Sequence, residues 1–90
     1  MKTAVYTSAF KHDYKQMSKR GKDLGKLKEV ILILQAGEPI HKKYLDHPLK
    51  GSYKGYRDLH IEPDWLLIYK ATQDMVFFER TGTHSDLFGE

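Results

Sequence analysis

The sequence predicts an α+β fold: a two-helix hairpin packed on one face of a small twisted, mainly antiparallel sheet, in the order β-α-α-β-β-β. Three observations carry that prediction. Apolar residues recur at helical spacing through residues 10–34, the side-chain period changes to two beyond Gly51, and the helical stretches precede the strands instead of alternating with them. The 90 residues, 40% of them hydrophobic, suit one domain over residues 1–90 with a modest core.

TAVYT reads as a short opening strand. Ser8 is the expected cap of a first helix, AFKHDYKQMSKR, in which Phe10, Tyr14 and Met17 share a face and Gly21 ends the run. A second helix begins near Asp23. Leu24, Leu27, Ile31 and Leu34 form its apolar stripe, widened by Val30, and Gly37 with Pro39 stops it. Residues 40–51 read as irregular and polar, with His47 in that loop. The stretch YKGYRDLHI then alternates, placing Arg57, Leu59 and Ile61 on one face and Tyr56, Asp58 and His60 on the other. EPD turns the chain, because Pro63 donates no ladder hydrogen bond. WLLIYKA is a nearly continuous apolar strand, TQD turns again, and MVFFERTGT completes a meander.

Composition excludes several functions. Without cysteine there is neither a disulfide nor a thiolate metal site, and nothing points to an oxidising compartment. No apolar run approaches the roughly 18 residues of a membrane span, and MKTAVYTSAF lacks a signal peptide's apolar core, so the expectation is a cytoplasmic protein with no membrane partner. The net charge of +3 conceals an asymmetry: residues 1–54 carry 12 Lys+Arg against 5 Asp+Glu, and residues 55–90 carry 3 against 7. A basic first half suits a polyanion or an acidic protein segment; a solvated helix face explains the lysines equally well.

Residues 47–65, HPLKGSYKGYRDLHIEPDW, concentrate the groups able to do chemistry. Asp58 and His60 lie two apart on one strand face, and Asp64 opens the returning strand within reach of His60. A carboxylate beside an imidazole fixes the ring's tautomer and stabilises its charged form, which tunes histidine for proton transfer. His84 follows the last strand. The histidine spacing matches no metal-ligand signature, so no metal and no cofactor is expected. Tyr53, Tyr56 and Tyr69 are placed either to stack on bases or to cover the sheet.

DHPLKGSYKGYRDLHIEPDWLLIYK and FERTGTHSDLFG closely resemble the YafQ branch of the RelE/ParE superfamily, the toxin halves of bacterial type II toxin-antitoxin modules. The HPL loop, the YRD-x-H-x-EPDW hairpin and the RTGTH-x-x-LF segment occur in the family's order, and the likeness is looser in the helices. The resemblance implies a RelE-like fold and a ribosome-dependent mRNA endonuclease that cuts the codon in the decoding site, without metal, leaving a 2′,3′-cyclic phosphate and a 5′-hydroxyl. Carried over by motif, the catalytic set is His47, His60, Asp64 and His84, with Asp58 and Phe88 in support. RelE-type members use Arg, Lys and Tyr where this chain has histidine, so those roles are not imported.

Cleavage by the RNA's own 2′-hydroxyl needs a base, an acid and positive charge for the phosphorane. His60 and His84 are the expected acid-base pair, with His47 and Asp64 orienting substrate or sharing proton transfer. Lys50, Lys54 and Arg80 are the expected phosphate contacts; Arg57 faces away from His60. The implied partners are the 70S ribosome and its RNA, mRNA, and a cognate antitoxin protein, acidic and initially disordered, with DNA met only through the antitoxin complex. The alternative is a ParE-like inhibitor that acts by protein contact, a branch lacking the histidine set.

Overall fold

In a computed structural model of the chain, which describes residues 1–89, five strands form one sheet with helices on its two faces. β1 (Thr3–Tyr6) leads into α1 (Ser8–Lys19) and α2 (Leu24–Ala36). After a 3₁₀ turn at Lys42–Tyr44 come β2 (His47–Pro48), a second 3₁₀ turn at Gly51–Tyr53, and the meander β3 (Arg57–Glu62), β4 (Trp65–Ala71) and β5 (Met75–Gly82). A short α3 (His84–Phe88) follows. The strand order is β1-β5-β4-β3-β2; β1 runs parallel to β5 and every other pairing is antiparallel.

The predicted α+β architecture holds, with two additions. β2 and α3 are elements that the sequence reading missed. His47 is therefore not in a loop but on an edge strand, and residues 53–56 precede β3 instead of starting it. One cap also differs. Thr7, not Ser8, caps α1: its hydroxyl accepts the Phe10 N–H at 3.0 Å and donates to the Glu79 carbonyl at 2.8 Å, so it joins helix to sheet as Ser8 cannot. α2 begins next to Asp23 as expected, with Asp23 as its cap, and Gly21 and Gly37 take the positive φ that ends each helix.

The helix face of the sheet holds the main core. Phe10 and Met17 from α1 and Leu27, Val30, Ile31 and Leu34 from α2 pack on Leu59, Trp65, Leu67, Tyr69, Val76 and Phe78. β4 reads as continuously apolar because it is central and covered on both faces. Its alternate residues Leu66 and Ile68 meet Leu87 of α3, with Leu49, Tyr53 and Tyr56 alongside. Trp65 donates its indole N–H to the Thr81 hydroxyl at 3.0 Å, and that hydroxyl donates to the Leu66 carbonyl at 2.7 Å, so the large buried ring leaves no polar atom unpaired.

Candidate active site

Ladder register decides which side chains stand together on the second sheet face. Directly paired residues share a face, so His47, Asp58, Ile68 and Arg80 form one row across β2, β3, β4 and β5, and His60, Leu66 and Gly82 form the next. Gly82 has no side chain, and the chain then turns into α3 at Thr83. His84, the first residue of α3, thereby comes beside His60.

The three rings lie in sequence around one patch. The His47 and His60 centroids are 6.2 Å apart with planes 29° from parallel, and the His60 and His84 centroids are 5.6 Å apart at 46°. His84 donates both its main-chain N–H (2.9 Å) and its ring Nδ1–H (2.5 Å) to Asp64 Oδ1. These two donors hold the Asp64 carboxyl below its ordinary range. This corrects the sequence expectation. Asp64 serves His84, not His60, because the two-residue turn at Pro63 and Asp64 points its carboxylate along the sheet toward the start of α3.

His47 is held differently. Its Nδ1 donates to the Leu45 carbonyl at 2.7 Å, and its Nε2 lies 3.7 Å from Asp58 Oδ2. Leu45 reaches that position at φ 52°, a left-handed conformation unfavourable for a non-glycine residue. Asp46 fixes this strained loop: it accepts the Tyr69 hydroxyl at 2.5 Å and pairs with Arg57, whose Nη2 is 3.1 Å away. Arg57 thus works on the helix side of the sheet, as its alternation predicts.

Asp58 is only 4% exposed, and burial pushes its carboxyl above the ordinary range. Its Oδ1 and the Nδ1 of His60 are both buried with no protein hydrogen-bond partner. Phe88 closes α3 partly exposed and packs edge-on against Tyr53, with centroids 6.2 Å apart; Tyr53 meets Tyr56 in the same way at 6.4 Å. Tyr53 and Tyr56 also pack on Leu66 and Ile68, which stand in the same two rows as the imidazoles of His60 and His47. Lys50 and Lys54 flank the second 3₁₀ turn in solvent. Arg80 starts in the His47 row, but its Nε and Nη2 donate to buried Asp13 at 2.6 and 3.1 Å.

All four expected catalytic residues and Asp58 converge. Sequence reasoning missed Tyr53's packing on Phe88 and the Asp46 anchor. Asp46 gave no signal, since its partner Tyr69 lies 23 residues on.

The family profile described as the bacterial toxin of the type II toxin-antitoxin system, YafQ, matches residues 2–89. The chain belongs to the YafQ toxin family. The mRNA interferase toxin YafQ of Escherichia coli K12 is 52% identical over 85 residues, 93% of this chain and 92% of that protein. The toxin in the E. coli DinJ-YafQ toxin-antitoxin complex superposes with a TM-score of 0.91 at 49% identity, covering 98% of both chains. A metal-bound toxin from Helicobacter pylori superposes with a TM-score of 0.90 at 40% identity, covering 98% of this chain and all of that one. The RelE-like α+β fold and the toxin assignment rest on these likenesses, and so does endoribonuclease chemistry, the activity that the name mRNA interferase denotes.

Proposed function

We propose that this toxin is a ribosome-dependent mRNA endonuclease that cuts within the decoding site by metal-independent acid-base chemistry. The single observation that carries the proposal is the row of three imidazoles centred on His60, with a carboxylate bonded to one end and another buried beneath the other.

Chemistry follows from where each proton is held. Asp64 accepts the Nδ1–H of His84, which leaves the ring's Nε2 to carry the transferable proton. His84 is the acid that protonates the leaving 5′-oxygen. His60 has no carboxylate bonded to its ring. It is the base for the 2′-hydroxyl, and the cation it becomes sits on the same strand face as Asp58. A 2′-oxygen attacking its own phosphorus releases the 5′-oxygen and leaves a 2′,3′-cyclic phosphate. His47 orients the substrate from the far side. Lys50 and Lys54 contact flanking phosphates, Arg80 offers them its remaining nitrogen, and Phe88 stacks on a base. Lysines of α1 and α2 and of the 42–44 turn hold ribosomal RNA, and the protein acts in the cytoplasm.

The partner that silences this activity is a cognate antitoxin, as DinJ is for E. coli YafQ. An acidic segment suits the basic N-terminal half, and DNA contact passes through the complex.

Mapping mRNA 5′ ends after induction, with and without translation, tests the proposal. Codon-registered cuts that vanish when ribosomes are kept off the message support it; cuts in naked RNA, or none, overturn it. The metal-bound H. pylori toxin makes a metal-dependent hydrolase the second reading. Among the described residues no group of three His, Asp or Glu side chains is arranged to hold a metal ion. Cleavage unchanged by EDTA is expected, and activity lost to EDTA and restored by zinc selects the second reading.

A further inference from the structure

We infer that Arg20, at the C-terminal end of α1, is a positioning residue for RNA cleavage: through Asp86 it fixes α3 and with it the places of His84 and Phe88. The inference rests on the nuclease reading above.

α3 is five residues long, too short to hold itself helical in water, so contacts elsewhere must set its position. Leu87 anchors it to the sheet. Asp86 does the rest. Arg20 Nη1 donates to Asp86 Oδ2 at 2.6 Å and Nη2 to Oδ1 at 3.0 Å, a two-pronged fork joining elements 66 residues apart. Asp86 Oδ2 also accepts the Thr83 N–H at 2.9 Å, while the Thr83 hydroxyl accepts the Asp86 N–H at 3.1 Å. That reciprocal cap sits one residue before His84 and so sets the helix to begin at His84. Space is tight at the same point. A Cβ on Gly82 would lie 2.9 Å from Asp86 Cβ, so the end of β5 and the Asp86 side chain fit only because residue 82 is glycine.

The consequence reaches the chemistry through Asp64. His84 bonds Asp64 by both its main-chain and ring nitrogens, and both bonds need α3 to start where it does. Arg20 holds the Asp86 carboxyl well below its usual range, so the fork stays formed at every pH at which imidazoles titrate. It is a fixed brace.

An exposed ion pair alone contributes little to stability. Arg20→Gln and Asp86→Asn, each purified and assayed on translating ribosomes, therefore keep the melting temperature within about 3 °C of wild type. They lower kcat by about tenfold or more, leave KM for the ribosome unchanged, and are no worse when combined. In parallel, NMR reads the His84 main-chain amide, whose exchange with solvent speeds up when its bond to Asp64 loosens. Arg20→Lys, which keeps the charge without the fork, recovers only part of kcat.

Unchanged kcat, additive losses in the double variant, or an unmoved His84 amide overturns the inference. So does a loss confined to KM with Asp86→Asn silent, which would make Arg20 a ribosome contact. If wild type itself does not cleave RNA, the nuclease reading falls, and the His84 amide still decides whether Arg20 positions α3.

Discussion

His47 and His84 stand on opposite sides of His60, and the chain secures them by different means. The His47 flank is an edge strand of two residues. Its geometry is imposed by Leu45 in a strained conformation and by Asp46, which is bonded to the buried Tyr69 hydroxyl and to Arg57. The His84 flank is a helix of five residues, held by a carboxylate turn, Asp64, and by ion pairing at the surface. The polar anchor of the first reaches a buried hydroxyl, whereas that of the second, beyond the Leu87 contact, lies in solvent. Disturbing the first should show in stability, and disturbing the second in activity with the fold intact.

Removing the rings gives the largest effect and the first test of that contrast. His60→Ala and His84→Ala are each expected to lower cleavage by about a hundredfold to ten-thousandfold, the range of lost general acid-base catalysis. His47→Ala, whose ring is half exposed and bonded only to a carbonyl, should lose less. Single-turnover cleavage on programmed ribosomes reads this ordering, with thermal melting to show that all three still fold. Equal losses at His47 and His84 would erase the functional difference between the flanks.

Asp64→Asn comes next. Asn keeps an oxygen for the His84 donors but removes the negative charge beside the ring, so a loss of about tenfold to a hundredfold is expected. Asp64 titrates below its unfolded value, so its favourable interaction is fully present above the ordinary carboxylate range and fades as pH falls through the lower folded value. The loss from Asp64→Asn should therefore be constant across neutral pH and shrink only in acid, where wild-type Asp64 is itself protonated; single-turnover rates across that range check it.

Those two flanks were unequally legible in the sequence. Alternation in β3 fixed the faces of Asp58, His60 and Arg57, and the apolar stripes of α1 and α2 gave the core, because periods of two and 3.6 are local properties. α3 was also within reach: Thr83 and Asp86 have the spacing of a capping box, and Gly89 takes the left-handed conformation that ends the helix. The direction of Asp64 was not, since it depends on the geometry of a two-residue turn. Nor was β2, a two-residue strand whose pairing is stabilised by Asp46 reaching across to Tyr69. Where β1 inserts depended on a parallel pairing with β5, some 70 residues distant, which no local pattern records.

Tyr69→Phe tests the buried anchor. It deletes the hydroxyl bonded to Asp46 without leaving a hole, at a cost of about 1 kcal/mol. Burial and the Asp46 carboxylate push this hydroxyl's pKa well up. A group whose folded pKa is raised contributes stability that is present below its unfolded value near 10 and lost as pH rises through the folded value. The wild-type advantage over Tyr69→Phe should thus persist at neutral pH in denaturant melts and shrink in strong base, with cleavage nearly unchanged.

Asp58→Asn carries the smallest effect and the opposite sign. Burial raises the folded pKa of Asp58, chiefly by desolvation, so its ionised form is disfavoured in the folded state. Folding becomes less favourable as pH rises from the unfolded value, near 3.8, through the higher folded one, and the penalty stays constant above that. A neutral isostere removes it. Asp58→Asn should slightly stabilise the toxin at pH 7 while slowing cleavage, because the charge that costs stability faces His60 and His47. Melting at pH 7 and at pH 3 decides it: the gain belongs to the neutral sample and should disappear in acid, where wild-type Asp58 is protonated in both states. A variant less stable than wild type at pH 7 would mean that Asp58 binds its two histidines more strongly than burial opposes it, and that the His47 flank, like the His84 flank, is held by charge.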